Sequence, residues 1–160
     1  MKKIAAILTA CLLLAACNSS EPASPEQMSI EAVYSVDQSI TSKSKTAAEI
    51  VAKLQSVRLV GCPADFVDAY KAYIKAWEKF TDIEKSLYAQ NMQKGQSDVA
   101  DFISTFVSNP TAAVVKLKKE WPAEADSIDK AAEGITKAFT NVTNIGTKYN
   151  AVYTRSSGLF

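Results

Sequence analysis

Phe66-Val67-Asp68-Ala69-Tyr70-Lys71-Ala72-Tyr73-Ile74-Lys75-Ala76-Trp77-Glu78-Lys79-Phe80 is the stretch that decides the fold. Its large apolar residues Phe66, Tyr70, Tyr73, Trp77 and Phe80 step 4, 3, 4 and 3, and Leu87 follows after 7 with Glu84 in the skipped place. Residues at that spacing return to one side of an α-helix, so the sequence predicts an amphipathic helix more than 20 residues long. Ile74, Ile83 and Tyr88 widen the stripe to a face suited to a bundle. Lys75, Lys79 and Lys85 alternate with Glu78 and Asp82 around it, the pattern of a solvated, ion-paired surface. Just upstream, Gly61-Cys62-Pro63-Ala64-Asp65 supplies a stop for one helix and a start for the next. Glycine ends, proline suits a first helical position, and aspartate puts negative charge in the first turn.

Working outward, Thr46-Ala47-Ala48-Glu49 fits a capping box ahead of Ile50, Val51, Leu54 and Val57, which predicts a helix running to Val60-Gly61. Further upstream, Ile30, Val33, Tyr34 and Val36 suggest a short helical piece, and the Ser- and Thr-rich run 35–44 reads as weak helix or loop. Downstream, Gly95 marks the end of the long helix and Ser97 caps a third, with Val99, Phe102, Ile103, Phe106 and Val107 on one face. Asn109-Pro110 closes it. A short helix from Thr111 carries Val114, Val115, Leu117 and Trp121 as far as Pro122. The last helix is the cleanest periodic element: Ile128, Ala132, Ile135, Phe139, Val142, Gly146, Tyr149 and Tyr153 step 4, 3, 4, 3, 4, 3 and 4. Gly134 and Gly146 each weaken it by up to ~1 kcal/mol relative to alanine, and allow close approach or a bend. No run alternates apolar and polar residues as a strand would. The expected fold is all-α, an antiparallel bundle of four to five helices spanning 30–160, with the two long helices as its spine.

The 160 residues carry 18 Lys and Arg against 17 Asp and Glu and contain no histidine. Near-neutral charge gives no electrostatic footprint for nucleic acid. Without histidine there is no Ser-His or Cys-His nucleophile pair, no His-ligated zinc and no histidine-ligated haem, and phosphate-cradling glycine motifs are missing too. No cofactor and no metal are expected. Carboxylates remain: Glu78, Asp82 and Glu84, and Glu120, Glu124 and Asp126 around Pro122. They sit among lysines at helical spacing, as a solvated face does, except Glu84, which the stripe turns toward the core. The chain is therefore expected not to be an enzyme.

At the N-terminus, Met1-Lys2-Lys3 precedes an uncharged apolar run, Ile4 to Ala16, ending in Leu14-Ala15-Ala16-Cys17. This resembles the lipobox signal peptide of bacterial lipoproteins. The resemblance implies that residues 1–16 are removed and that Cys17 carries a diacylglyceryl thioether as the membrane anchor. Thirteen apolar residues give about 20 Å of helix, short of the ~30 Å hydrocarbon core, which argues against a membrane span. Asn18 is not the aspartate that marks inner-membrane retention in this class, so the resemblance implies the outer membrane, facing the periplasm. Residues 17–29, polar and with two prolines at Pro22 and Pro25, read as a flexible tether. Of the three cysteines, Cys11 leaves with the signal and Cys17 takes lipid. Cys62 is left as a small semi-buried residue, a site for a disulfide-linked dimer, or a reactive thiol. The Cys62-Pro63-Ala64-Asp65-Phe66 start also resembles uncharacterised bacterial envelope proteins, which implies no activity.

These readings predict a non-enzymatic envelope lipoprotein whose helical domain binds an unknown protein partner at the periplasmic face. The alternative is a domain that binds a small apolar ligand within the bundle. Tyr70, Tyr73 and Trp77 are the candidate face for either role, or ordinary core. A cavity of a few hundred Å³ beside Tyr73 and Trp77 would favour the ligand. A filled core with an exposed aromatic patch would favour the partner.

Overall fold

Ser24 starts the first helix: its hydroxyl accepts from the Gln27 N–H at 3.1 Å, and Pro25 follows at a position where no N–H is needed. In the computed structural model, which describes residues 22–154, this helix is α1, Pro25–Lys43. It is followed by α2 (Ala47–Gln55), α3 (Ala64–Gln90), α4 (Met92–Phe106), α5 (Pro110–Glu120), a single 3-10 turn (Pro122–Glu124) and α6 (Ala125–Lys148). The protein is all-helical, with no strand among the described residues. Cys17 and the signal-like segment lie outside those residues.

α1 is longer than its apolar periodicity predicts. The run 35–44 is helical almost throughout because its polar side chains serve the helix instead of breaking it. Asp37 and Thr41 are buried on the same face as Ile30 and Tyr34, and the Thr41 hydroxyl donates to the Asp37 carbonyl at 3.0 Å. The helix also begins at Pro25, inside the segment read as tether.

α2 starts as predicted. Thr46 accepts from the Glu49 N–H at 3.1 Å, and the Glu49 carboxylate reaches back to the Lys45 N–H at 3.0 Å. It ends at Gln55, well short of Gly61. There the Ser56 hydroxyl takes the Lys53 carbonyl at 2.7 Å, competing with the next helical hydrogen bond. The chain then turns through Gly61, whose φ of +85° favours glycine.

Gly95 does not end the long helix. α3 stops at Gln90, Asn91 caps α4 by accepting from the Lys94 N–H at 3.0 Å, and Gly95 lies buried within α4. The last helix stops at Lys148. Beyond it Asn150 adopts a left-handed φ of 59°, the Ala151 N–H reaches the Gly146 carbonyl at 3.1 Å, and the Asn150 N–H reaches Thr147 at 3.1 Å. These are the paired hydrogen bonds of a Schellman motif. It turns the chain back, so that Tyr153 packs against the bundle from outside the helix.

The aromatic stripe of α3 is interior. Phe66, Tyr70, Trp77, Phe80 and Leu87 are fully buried and Tyr73 nearly so. Each large side chain contributes on the order of 1.5–3 kcal/mol by leaving water. α3 packs most extensively against α6. At one end the Tyr149 hydroxyl donates to Asp65 at 2.9 Å, and at the other Ser86 donates to Glu124 at 2.8 Å. Phe80 and Phe102 stack at 4.6 Å between α3 and α4. α1 is tied to α6 where the Tyr34 hydroxyl donates to the Val142 carbonyl at 3.2 Å.

Candidate ligand-binding cavity

Five segments converge beside Tyr73 and Trp77 without filling the space between them. α1 brings Asp37 and Thr41, and α3 brings Tyr73 and Trp77. Phe106 ends α4, α6 passes with Ile135 and Phe139, and Tyr153 returns after the Schellman turn. The cavity measures about 220 Å³. An apolar cavity of ~150 Å³ suffices for benzene, so there is room for a small molecule but not a large one. Asp37, Thr41, Tyr73, Trp77, Phe106 and Ile135 form a buried floor. Thr136 and Thr140 are exposed at its rim, with Phe139, Pro110 and Tyr153 half-buried between. The aromatic walls brace one another: Tyr73 meets Phe139 at 5.2 Å, Phe139 meets Tyr153 at 4.9 Å, and Trp77 meets Phe106 at 6.0 Å.

Asp37 is the polar centre. Only 1 % of it is exposed, and its carboxylate accepts from the Tyr70 hydroxyl at 3.2 Å. Burial pushes the carboxyl up from 3.8 to about 7, with the Tyr70 hydrogen bond pulling the other way. No lysine or arginine among the described residues forms an ion pair with it. The neighbouring phenols respond in kind. Burial first, and then the Asp37 charge, push Tyr34 up to about 12 and hold Tyr70 and Tyr73 above their ordinary range. All therefore remain neutral donors near neutrality. The indole N–H of Trp77 is buried without an acceptor. The Tyr73 hydroxyl is near enough for that N–H to favour its ionised form, but not placed to accept a hydrogen bond.

Of the sequence candidates, Tyr73 and Trp77 line the cavity, whereas Tyr70 stands behind it and holds Asp37. All three are buried, so an exposed partner face cannot be built on them. Among the described residues, Glu84 belongs to no group of three or more acidic side chains placed to share an ion. It accepts from the Ala48 N–H at 3.1 Å and the Tyr88 hydroxyl at 2.6 Å, satisfying an otherwise unpaired donor in the first turn of α2. Glu78 accepts from Gln55, Asp82 pairs with Lys85, Glu120 pairs with Lys94, and Glu124 accepts from Ser86 and Gln90. Cys62 is half-buried and burial pushes its thiol up, so it is not a ready thiolate.

Asp37 and Thr41 were not sequence candidates. Their signal is the step 4, 3, 4 from Ile30 through Tyr34 and Asp37 to Thr41, the same spacing as in α3, but carried by polar residues that an apolar count passes over.

Among the described residues, no group of three or more Cys, Asp and Glu is arranged to hold a metal ion, and no helix is long and apolar enough to cross a membrane. The chain matches no protein-family model, no curated protein and no solved structure.

Proposed function

We propose that this protein is a lipid-anchored component of the bacterial envelope whose helical domain binds a small molecule, without catalysis, in the cavity between α1, α3 and α6. The observation that carries the ligand-binding reading is the aromatic cavity of about 220 Å³ beside Tyr73 and Trp77. The alternative of a protein-binding domain has less to support it. The exposed large apolar residues Met28, Val36, Val60, Met92, Val115 and Val152 are drawn from α1, the α2–α3 loop, α4, α5 and the C-terminal segment.

The anchor reading rests on Leu14-Ala15-Ala16-Cys17, and Asn18 favours the outer membrane with the domain facing the periplasm. With α1 starting at Pro25, only the residues 18–24 separate Cys17 from the domain. Seven extended residues span at most about 25 Å, so the domain works close to the membrane surface. The fold is read as an antiparallel bundle with α3 and α6 as its spine. Their extensive packing and the contacts joining opposite ends, Tyr149 to Asp65 and Ser86 to Glu124, support this.

Native mass spectrometry of the protein, extracted from its own membranes in mild detergent, tests the proposal. The expected result is a lipidated chain carrying a further small molecule that leaves on collisional activation. A chain that is lipidated but always bare, and whose Tm no member of a small-molecule library raises, would contradict the ligand reading. A Cys17→Ser chain that still fractionates with membranes would contradict the anchor.

A further inference from the structure

The chemistry of the cavity lining selects a class of ligand. Thr41, Thr136 and Thr140 are its hydroxyls outside the tyrosines. Each spends its proton within its own helix, on the carbonyls of Asp37, Ala132 and Thr136, at 3.0, 2.9 and 2.9 Å. What these hydroxyls offer a guest is lone pairs. Asp37 adds a carboxylate that is buried, accepts from the Tyr70 hydroxyl, and has no cationic partner among the described residues. Around these acceptors stand the rings of Tyr73, Trp77, Phe106, Phe139 and Tyr153, whose faces carry the negative side of the aromatic quadrupole. Acceptors, one buried carboxylate and aromatic rings on several sides together favour positive charge. An anion would be repelled by Asp37, and a neutral hydrocarbon would leave it buried without compensation.

On the ligand-binding reading above, we infer that the guest of this cavity is a small organic ammonium ion, held by Asp37 and enclosed by the aromatic rings. The volume suits a trimethylammonium head or a short alkylammonium chain and excludes a phospholipid, whose acyl chains would need several times the space. The exposed threonines at the rim leave a polar way in, with hydroxyl oxygens able to take the place of water around a cation.

The positive charge meets an existing deficit. Burial makes the Asp37 carboxylate costly in the empty protein, and a bound ammonium ion supplies the missing countercharge. Binding should therefore favour ionised Asp37 and release a proton where the empty site is protonated. The titratable groups sharing this environment are the phenols of Tyr34 on α1, Tyr70 and Tyr73 on α3, and Tyr153 at the C-terminal end. The contributions of α4, α5 and α6 to the cavity, Phe106, Pro110, Ile135, Thr136, Phe139 and Thr140, do not titrate. Asp37 is thus the group that carries the pH dependence.

Calorimetric titration of the full chain with choline, n-butylamine and 3,3-dimethylbutan-1-ol tests this directly. The alcohol matches choline in shape and lacks its charge. At about pH 8, one or both cations should bind at least ~10-fold more tightly than the alcohol, and their affinity should fall as the pH drops through about 7. Choline ahead of butylamine indicates a quaternary guest, and the reverse a primary amine; either order supports the proposal. Asp37→Asn keeps an acceptor for Tyr70 and should erase the preference for charge while leaving the alcohol's affinity in place. Should that variant fail to fold, the pH dependence of the native chain decides alone. Alcohol bound as tightly as the cations would overturn the ammonium class and leave a ligand cavity standing. Binding of none of the three at millimolar concentration would likewise overturn the ammonium class, while the ligand reading itself stands or falls on the native mass and library result above.

Discussion

At the residue scale, Asp37 has the largest consequence for its size. Its folded pKa, about 7, lies above the unfolded value of 3.8, so between those limits the folded chain binds the extra proton. Stability contributed by this group is therefore full below about pH 4 and falls as pH rises through 7. The shift corresponds to roughly 4 kcal/mol, at about 1.36 kcal/mol per pKa unit. Asp37→Asn removes the penalty, and urea denaturation should find the variant gaining on the native chain from pH 4 to pH 8 by up to about that amount. A stability difference that does not change with pH would refute it. A residue that weakens the empty fold while facing a cavity is better explained by what it binds than by what it holds together.

Two glycines on α6 separate the same way. A Cβ on Gly134 would meet nothing within 4 Å, whereas one on Gly146 would sit 2.0 Å from the Tyr34 hydroxyl. Gly134→Ala should stabilise by up to ~1 kcal/mol through helix propensity. Gly146→Ala should cost about 1–3 kcal/mol, because Tyr34 must give up its place against Val142. Thermal unfolding of both variants checks the pair, and equal Tm shifts would be inconsistent with the packing.

At the element scale, the long helices were legible and their ends were not. The stripes of α3 and α6 repeat bulky apolar residues at helical spacing, and burial follows that pattern wherever the face is uniformly apolar. α1 was only half legible because its buried face changes from Ile30 and Tyr34 to Asp37 and Thr41. Hydrophobic periodicity cannot see a polar residue that is buried for a reason. The cavity was legible in its apolar half, Tyr73 and Trp77, and hidden in its charged half for the same cause. The end of α6 was misplaced because Tyr149 and Tyr153 continue the apolar spacing after the helix has stopped. Asn150 was the signal, since asparagine tolerates the left-handed turn that a Schellman motif needs. Asn150→Ala should therefore cost about 1 kcal/mol, and Asn150→Gly should be neutral or slightly stabilising. Urea midpoints that rank alanine above glycine would contradict the motif.

At the scale of the whole molecule, the cavity lies where α1, the α4–α5 junction, α6 and the returning C-terminal segment all meet α3. No single helix makes it, so no local reading of the chain could have measured it. The two tryptophans allow the claim to be tested at one atom with its control in the same molecule. Trp77 lines the cavity and its buried Nε1–H has no hydrogen-bond acceptor, while Trp121 Nε1–H donates to Asp98 at 2.8 Å away from the cavity lining. In a ¹⁵N–¹H spectrum of the full chain titrated with choline, the Trp77 indole resonance should move progressively to saturation while that of Trp121 stays in place. A Trp77 resonance that stays fixed, or two that move together, would contradict a ligand seated in this cavity.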